Sequence, residues 1–241
     1  MSTYANRFTM DEVRRFWDGI ADHEYEHANE ELDRVHTQRF REALERLELF
    51  TGARVLNIWS RIGDGVPWLR GACPGIRLVN AELSFGMLRG SRRLNPGEDH
   101  VQTSLHELPF PDGSFDIIMS LETLEHVPDP LLFLGELNRV LVPGGRLVMS
   151  LPPSLAEWTS VLNSILRFHH GEGPHRFLAP REVREMLAET GFRLEDYRGT
   201  LFLPFEGEAT ERLDRWIARR IGAGPLGQLG LRCFYVCTAS L

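Results

Sequence analysis

The sequence predicts an α/β fold built on a doubly wound, mostly parallel sheet. Three observations carry this. From Arg54 onward, short apolar runs alternate with amphipathic stretches, the signature of repeated strand–helix units. The stretch 108–153, LPFPDGSFDIIMSLETLEHVPDPLLFLGELNRVLVPGGRLVMSLPP, reads as turn, buried strand, polar helix start, amphipathic helix, Gly-Gly turn and buried strand. That order makes a right-handed βαβ unit. Its ETLEH cluster falls just past a strand's carboxyl end, where open α/β sheets bind ligands.

The elements follow in order. Residues 9–49 are polar and helix-rich: Thr9 can cap a helix over 11–17. A longer helix over about 29–49 carries Leu32, Val35, Phe40, Ala43, Leu44 and Leu47 near helical spacing, and Gly52 stops it. Strands are expected at 54–59, 77–81, 100–104, 115–120 and 145–151, with helices between them at 84–94 and 130–141. A helical insert follows at about 155–169, then a helix near 180–190, a strand near 192–203, a helix near 210–221 and a last strand near 232–237. In the helix near 210–221, Leu213, Trp216, Ile217 and Ile221 share one stripe, which predicts packing on the sheet. There is no internal repeat and no low-complexity segment. The chain divides into an N-terminal helical lid or extension over 1–50 and an α/β domain over 51–241, with the insert near 155–178.

Composition excludes several functions. The 241 residues carry 27 basic and 34 acidic side chains, a net charge of −7, which argues against nucleic acid as a partner. All the basic residues besides histidine are arginine, so no Schiff-base or P-loop lysine exists. Three cysteines, Cys73, Cys233 and Cys237, make no disulfide framework and suit a reducing compartment. No apolar run suggests a signal peptide or a membrane span. The expectation is a cytoplasmic monomer or homodimer acting on a small molecule, with no membrane partner.

Several segments together resemble the class I S-adenosylmethionine (SAM) dependent methyltransferases of the small-molecule "type 11" group. LPFPDGSFDIIMS resembles the family's fourth strand and its preceding turn. LETLEHVPDP resembles the following helix start, and LNRVLVPGGRLVMSLPP the next helix, turn and fifth strand. PHRFLAPREVREMLAETGFRLEDYRG resembles the later helix and sixth strand. The resemblance implies a Rossmann-like, seven-stranded sheet whose last strand, near Phe234, is antiparallel.

It also implies where SAM would bind. Glu82, followed by Leu83 and SFGML, matches the acid that takes the ribose hydroxyls. Ser104 stands where an Asp usually meets adenine, beside the Leu105 N–H, and Leu121, just past the fourth strand, joins the cofactor-binding set. The first-strand motif, an acid followed by G-x-G-x-G, is eroded. In VLNIWSRIG, Asn57 replaces the acid, Trp59 and Arg61 replace two glycines, and Gly63 remains. Glycine there lets the backbone adopt φ > 0 and approach the cofactor. A Trp would project beside the methionine half, and Arg61 would bring positive charge near the sulfonium.

Two readings stay open at this point. One is SAM-dependent methyl transfer. The other is a methyltransferase-fold protein without methyl transfer, a partner subunit or cyclase-like enzyme.

Glu122, Glu125 and His126 form E-x-x-E-H at a helix start. Spacings of three and four would place them on one helical face. With His175 of GPHRFLAP they offer two carboxylates and two imidazoles, a set suited to a divalent metal. The set resembles the metal site of plant small-RNA 2′-O-methyltransferases and the cluster of ubiquinone-pathway O-methyltransferases. Without metal, His126 or His175 would be a general base, which favours a hydroxyl acceptor. Tyr25, His23 and His27 would sit in the lid. His36 and Arg39 are expected on a solvated face, and His169 and His170 in a loop.

Overall fold

The computed structural model describes residues 4–26, 34–156, 173–203, 205 and 207–240. Seven strands form one sheet: β1 (Arg54–Ile58), β2 (Arg77–Glu82), β3 (Asp99–Gln102), β4 (Phe115–Leu121), β5 (Leu141–Leu151), β6 (Phe192–Thr200) and β7 (Arg232–Ala239). Their order is β3-β2-β1-β4-β5-β7-β6, with β1 to β5 parallel and β7 antiparallel to both β5 and β6. The doubly wound fold is therefore observed, last strand included. The chain reverses direction of progress between β1 and β4, the switch point where such sheets open a crevice. β4 is apolar almost throughout and buried, as a central strand covered on both faces must be.

Helices cover the two faces: α1 (Met10–Glu26), α2 (Arg34–Leu47), α3 (Val66–Ala72), α4 (Phe85–Leu94), α5 (Pro130–Val140), α6 (Pro180–Glu189) and α7 (Glu208–Ile221). One core joins Val13 and Trp17 of α1 with Met87, Phe133, Leu137 and Met186 from α4, α5 and α6. The other joins Phe40, Ala43 and Leu47 of α2 with Leu69 of α3 and Phe234 of β7. Thus α1 and α2, neighbours in sequence, serve opposite faces.

Several boundaries differ from the sequence reading. α1 runs on to Glu26, and α3 was not expected. β6 stops at Thr200, where Leu201 turns to φ 59°. β5 begins at Leu141, and its pairing with β4 skips from Leu141 to Arg146 around Gly144, at φ 75°. The stripe on α7 also points the other way. Asp214 and Ala218 face inward, while Leu213 and Trp216 are 50% and 55% exposed. The reason is polar: the Asp214 carboxylate accepts the N–H groups of Phe202 and Leu203 at 2.7 and 3.0 Å, which fixes that face against the end of β6. Most of the helical insert, with His169 and His170, lies outside the described residues, as do His27 and the Tyr25 side chain.

α1 docks on α4 through one carboxylate. Asp18 accepts from the Ser84 hydroxyl at 2.6 Å and from the Gly86 N–H at 3.1 Å, and Ser84 itself caps α4 by accepting from Met87 N. The helices meet closely at Gly86, where a Cβ would come within 2.6 Å of the Ala21 Cβ. Gly86→Leu should therefore push α1 off α4 while leaving the sheet intact. Limited proteolysis should then cleave near α1 faster than in the wild type, with the far-UV spectrum almost unchanged.

Candidate functional site

The loop leaving β1 takes up left-handed backbone at alternate positions, two of them not glycine. Trp59 sits at φ 59°, Arg61 at φ 49° and Gly63 at φ 81°. A non-glycine residue there costs on the order of 1–3 kcal/mol and persists only where its surroundings hold it. Gly63 is further required by space, since a Cβ would collide with the Ser91 and Asn95 side chains of α4.

Glu82 does the holding. At the carboxyl end of β2, its Oε2 accepts from Arg61 N at 2.7 Å and its Oε1 from Leu83 N at 2.8 Å and Ser84 N at 3.0 Å. It is fully buried, and burial pushes its pKa up to about 7 against the pull of those N–H groups and of Arg61.

Beside this loop lies a packed aromatic cluster. The Trp59 indole stacks on the His126 imidazole, with centroids 5.5 Å apart and planes at 4°. Trp17 of α1 meets both edge-on, at 5.7 Å each, and the Arg61 guanidinium lies 4.9 Å over the Trp17 ring. All three rings are buried.

The His126 and His175 rings are 6.0 Å apart. Their Nδ1 atoms face carbonyls, Pro174 O at 2.9 Å and Gly173 O at 2.8 Å. A carbonyl only accepts, so each Nδ1 carries a hydrogen and each Nε2 is the nitrogen turned away from that carbonyl. Burial, then the neighbouring His175 and Arg61, lowers the His126 pKa to about 4, so this ring is neutral near neutrality.

The expected four-residue metal set does not form. Residues 124–126 are a single 3-10 turn rather than the start of an α-helix, and α5 begins only at Pro130 behind its Asp129 cap. Glu122, at φ 53°, precedes that turn and points away from His126. Its carboxylate is held by Arg39 of α2 at 2.9 Å and by Arg232 of β7, through Nε at 2.6 Å and Nη2 at 2.5 Å. Arg39 also binds Asp64 at 2.8 Å, and Arg232 binds Gln38 at 2.7 Å. Among the described residues, no three His, Cys, Asp or Glu side chains are grouped so as to hold a metal. Glu125 and His126 are buried in the turn, while Glu122 is committed to two guanidiniums. Arg39, expected on a solvated face, is buried at the centre of this network.

The remaining residues scatter. Asn57 is buried within the sheet, its amide donating to Asn80 at 2.9 Å across the β1–β2 pair. Its amide lies on the α2/α3 side, near Gly65, apart from the Trp59 cluster. Leu121 also belongs to the α2/α3 core, whereas Leu83 and Leu105 are buried in the core that contains Trp59. Ser104 is exposed, and its hydroxyl accepts from His106 N at 3.2 Å. Sequence reasoning missed Trp17, Asp64, Arg232 and Pro174. Only Trp17, an aromatic residue on a polar helix, carried any signal.

With this geometry in hand, comparisons are informative. A family model described as "Methyltransferase domain" matches residues 61–149. The chain is 30% identical over 212 residues to the ubiquinone biosynthesis O-methyltransferase of Xanthomonas euvesicatoria pv. vesicatoria, covering 82% of this chain and 83% of that protein. It is 33% identical over 141 residues to the demethylmenaquinone methyltransferase of Paenarthrobacter aurescens, covering 58% and 54%. The match thus spans little more than half the length of that relative. Among solved structures, phosphoethanolamine N-methyltransferase 2 of Haemonchus contortus, in complex with S-adenosyl-L-methionine, superposes with a TM-score of 0.67. At 18% identity it covers 95% of this chain and 60% of that one, and it shares the fold.

The Glu122 clamp has a pH signature. The guanidiniums of Arg232 and Arg39 outweigh its burial and hold its carboxyl well below the ordinary value of 4.5. A depressed acid adds stability that is full above the unfolded value and is lost as pH falls below it. Arg39→Met should cost about 3 kcal/mol, the low end for breaking a buried pair because Arg232 still holds Glu122, measured by urea denaturation near neutrality. The difference from wild type should shrink as the pH is taken below 4.5.

Proposed function

The chain belongs to the S-adenosylmethionine-dependent methyltransferases, and from that premise we propose that it methylates a hydroxyl of a small-molecule acceptor. The observation that carries the oxygen preference is the pair of imidazoles, 6.0 Å apart, each with its Nδ1–H tied to a carbonyl, so that the Nε2 of the neutral His126 ring is left as an acceptor. Such a pair suits removal of a hydroxyl proton.

The residues present fit the nucleoside side of SAM. Glu82 stands at the end of β2, and a carboxylate has about four acceptor positions, of which three are used. The loop after β1 keeps positive φ at residues 59, 61 and 63, and Ser104 is open to solvent. On the methionine side the Trp59 indole has to leave its stack on His126. Glu82, Gly63, Ser104 and Leu105 would hold the cofactor. When bound, SAM supplies an electrophilic methyl group.

The chain's own residues do the rest. With Trp59 displaced, Trp17 still covers the His126 ring edge-on and keeps water from that side. Low basicity keeps His126 in its free-base form across the neutral range. Orientation by the Pro174 and Gly173 carbonyls fixes which nitrogen of each ring meets the acceptor.

Titration calorimetry with S-adenosylhomocysteine tests the reading. Wild-type protein should bind, and Trp59→Gly, which restores a glycine at φ 59°, should bind about tenfold more tightly because no stack is broken. Absence of heat from both proteins, each shown to be folded, would overturn it. With an acceptor in hand, His126→Gln should lower kcat about a hundredfold or more.

A further inference from the structure

The connection between β6 and β7 carries a face that no other described residue covers. On α7 the exposed residues are Glu208, Ala209, Arg212, Leu213, Arg215, Trp216, Arg219 and Arg220. Along the helix, Leu213 and Trp216 lie side by side at a spacing of three. Arg212 and Arg219 flank them on one side, and Arg220 stands on the stripe one turn beyond Trp216, its guanidinium 5.4 Å from the Trp216 ring. Leu226 and Leu229 of the 3-10 turn Pro225–Leu229, which packs against α7, are likewise more than half exposed.

The acids of the helix are withdrawn from this face. Asp214 is buried on the N–H groups of Phe202 and Leu203, and Glu211 is held by Arg41 of α2 at 2.9 Å. Four arginines therefore face outward beside one glutamate, in a chain whose net charge is −7. Arg212, Arg215 and Arg219 make no ion pair with the described residues.

We infer that α7 and the 3-10 turn after it dock the protein on an anionic lipid surface. Trp and Leu on one stripe, bordered by arginines, match the interface between acyl chains and negative headgroups. Arginine's long aliphatic stem reaches outward while its charge stays in water. No helix among the described residues is long and apolar enough to cross a membrane, so the contact is peripheral. The location has a use. Thr200 at the end of β6 pairs with Arg232 at the start of β7, and Arg232 binds Glu122, so the docking face shares the carboxyl edge of the sheet with the candidate site.

Vesicle co-sedimentation of the whole chain tests this, independently of methyl transfer. Wild-type protein should pellet with vesicles of phosphatidylcholine mixed with phosphatidylglycerol, and much less with phosphatidylcholine alone. The double variant Leu213→Ser, Trp216→Ser should stay in the supernatant. The triple variant Arg212→Gln, Arg215→Gln, Arg219→Gln should bind about a hundredfold more weakly. All the changed side chains are exposed, so thermal unfolding should be unaltered and loss of binding cannot be ascribed to misfolding. Wild-type protein remaining in solution, or variants that bind as well as it does, would overturn the inference. So would a dimer in sedimentation equilibrium that Trp216→Ser dissolves while vesicles are ignored; the face would then serve a second copy of the chain.

Discussion

The carboxylate of Glu122 ties together four pieces of chain that are far apart in sequence. Arg39 brings α2 and, through its second contact, Asp64 of the loop after β1; Arg232 brings the start of β7; and Glu122 itself follows directly on β4. Buried ion pairs are weak sources of net stability, because desolvation offsets most of the attraction. Their geometric demand is strict, however. A guanidinium fork accepts few arrangements of its partners, so the network fixes where the 3-10 turn after β4 begins. That turn carries His126, and His126 carries Trp59. The shape of the candidate site thus descends from a charge cluster on the other side of the strand.

The site is closed by its own side chains. Three non-glycine residues in the left-handed region, Trp59, Arg61 and Glu122, gather around it. Such strain is tolerated where many contacts over-determine the backbone. Here they are the three N–H groups converging on Glu82, the guanidiniums on Glu122, and the stacked rings. The turn after β1 thus holds left-handed backbone at Trp59 and Arg61, where glycine would be unstrained.

Much of the fold was legible in the sequence because it rests on local pattern. Residues 108–153 announce two buried strands and a capped helix by continuous apolar runs, an Asp-Pro start and a Pro-Gly-Gly turn. The short α3 escaped notice because seven residues after a Gly-Asp-Gly turn hold less than two turns of helical period. The site was less legible because its contacts are long-range. Arg39 looked like a surface residue, since its partners lie 25 and 83 positions away. The spacing of Glu122, Glu125 and His126 suggested one helical face, but spacing implies a face only if the helix exists, and a 3-10 turn arranges them otherwise. Asn57 was assigned to the cofactor by position, although strand alternation sends its side chain to the α2/α3 side. Trp59 was recognised as a departure from the family, while its resting place against Trp17 and His126 required the docked first helix.

The cap on α4 is borrowed. Its first N–H groups are served by Ser84 and, through Asp18, by a different helix altogether. Any excursion of α1 away from the sheet strips a negative charge from the positive end of α4. The penalty is on the order of 1 kcal/mol, small enough to be crossed thermally and large enough to bias the resting population. It acts as a detent: a shallow, restoring stop that returns the first helix to one seat after each departure.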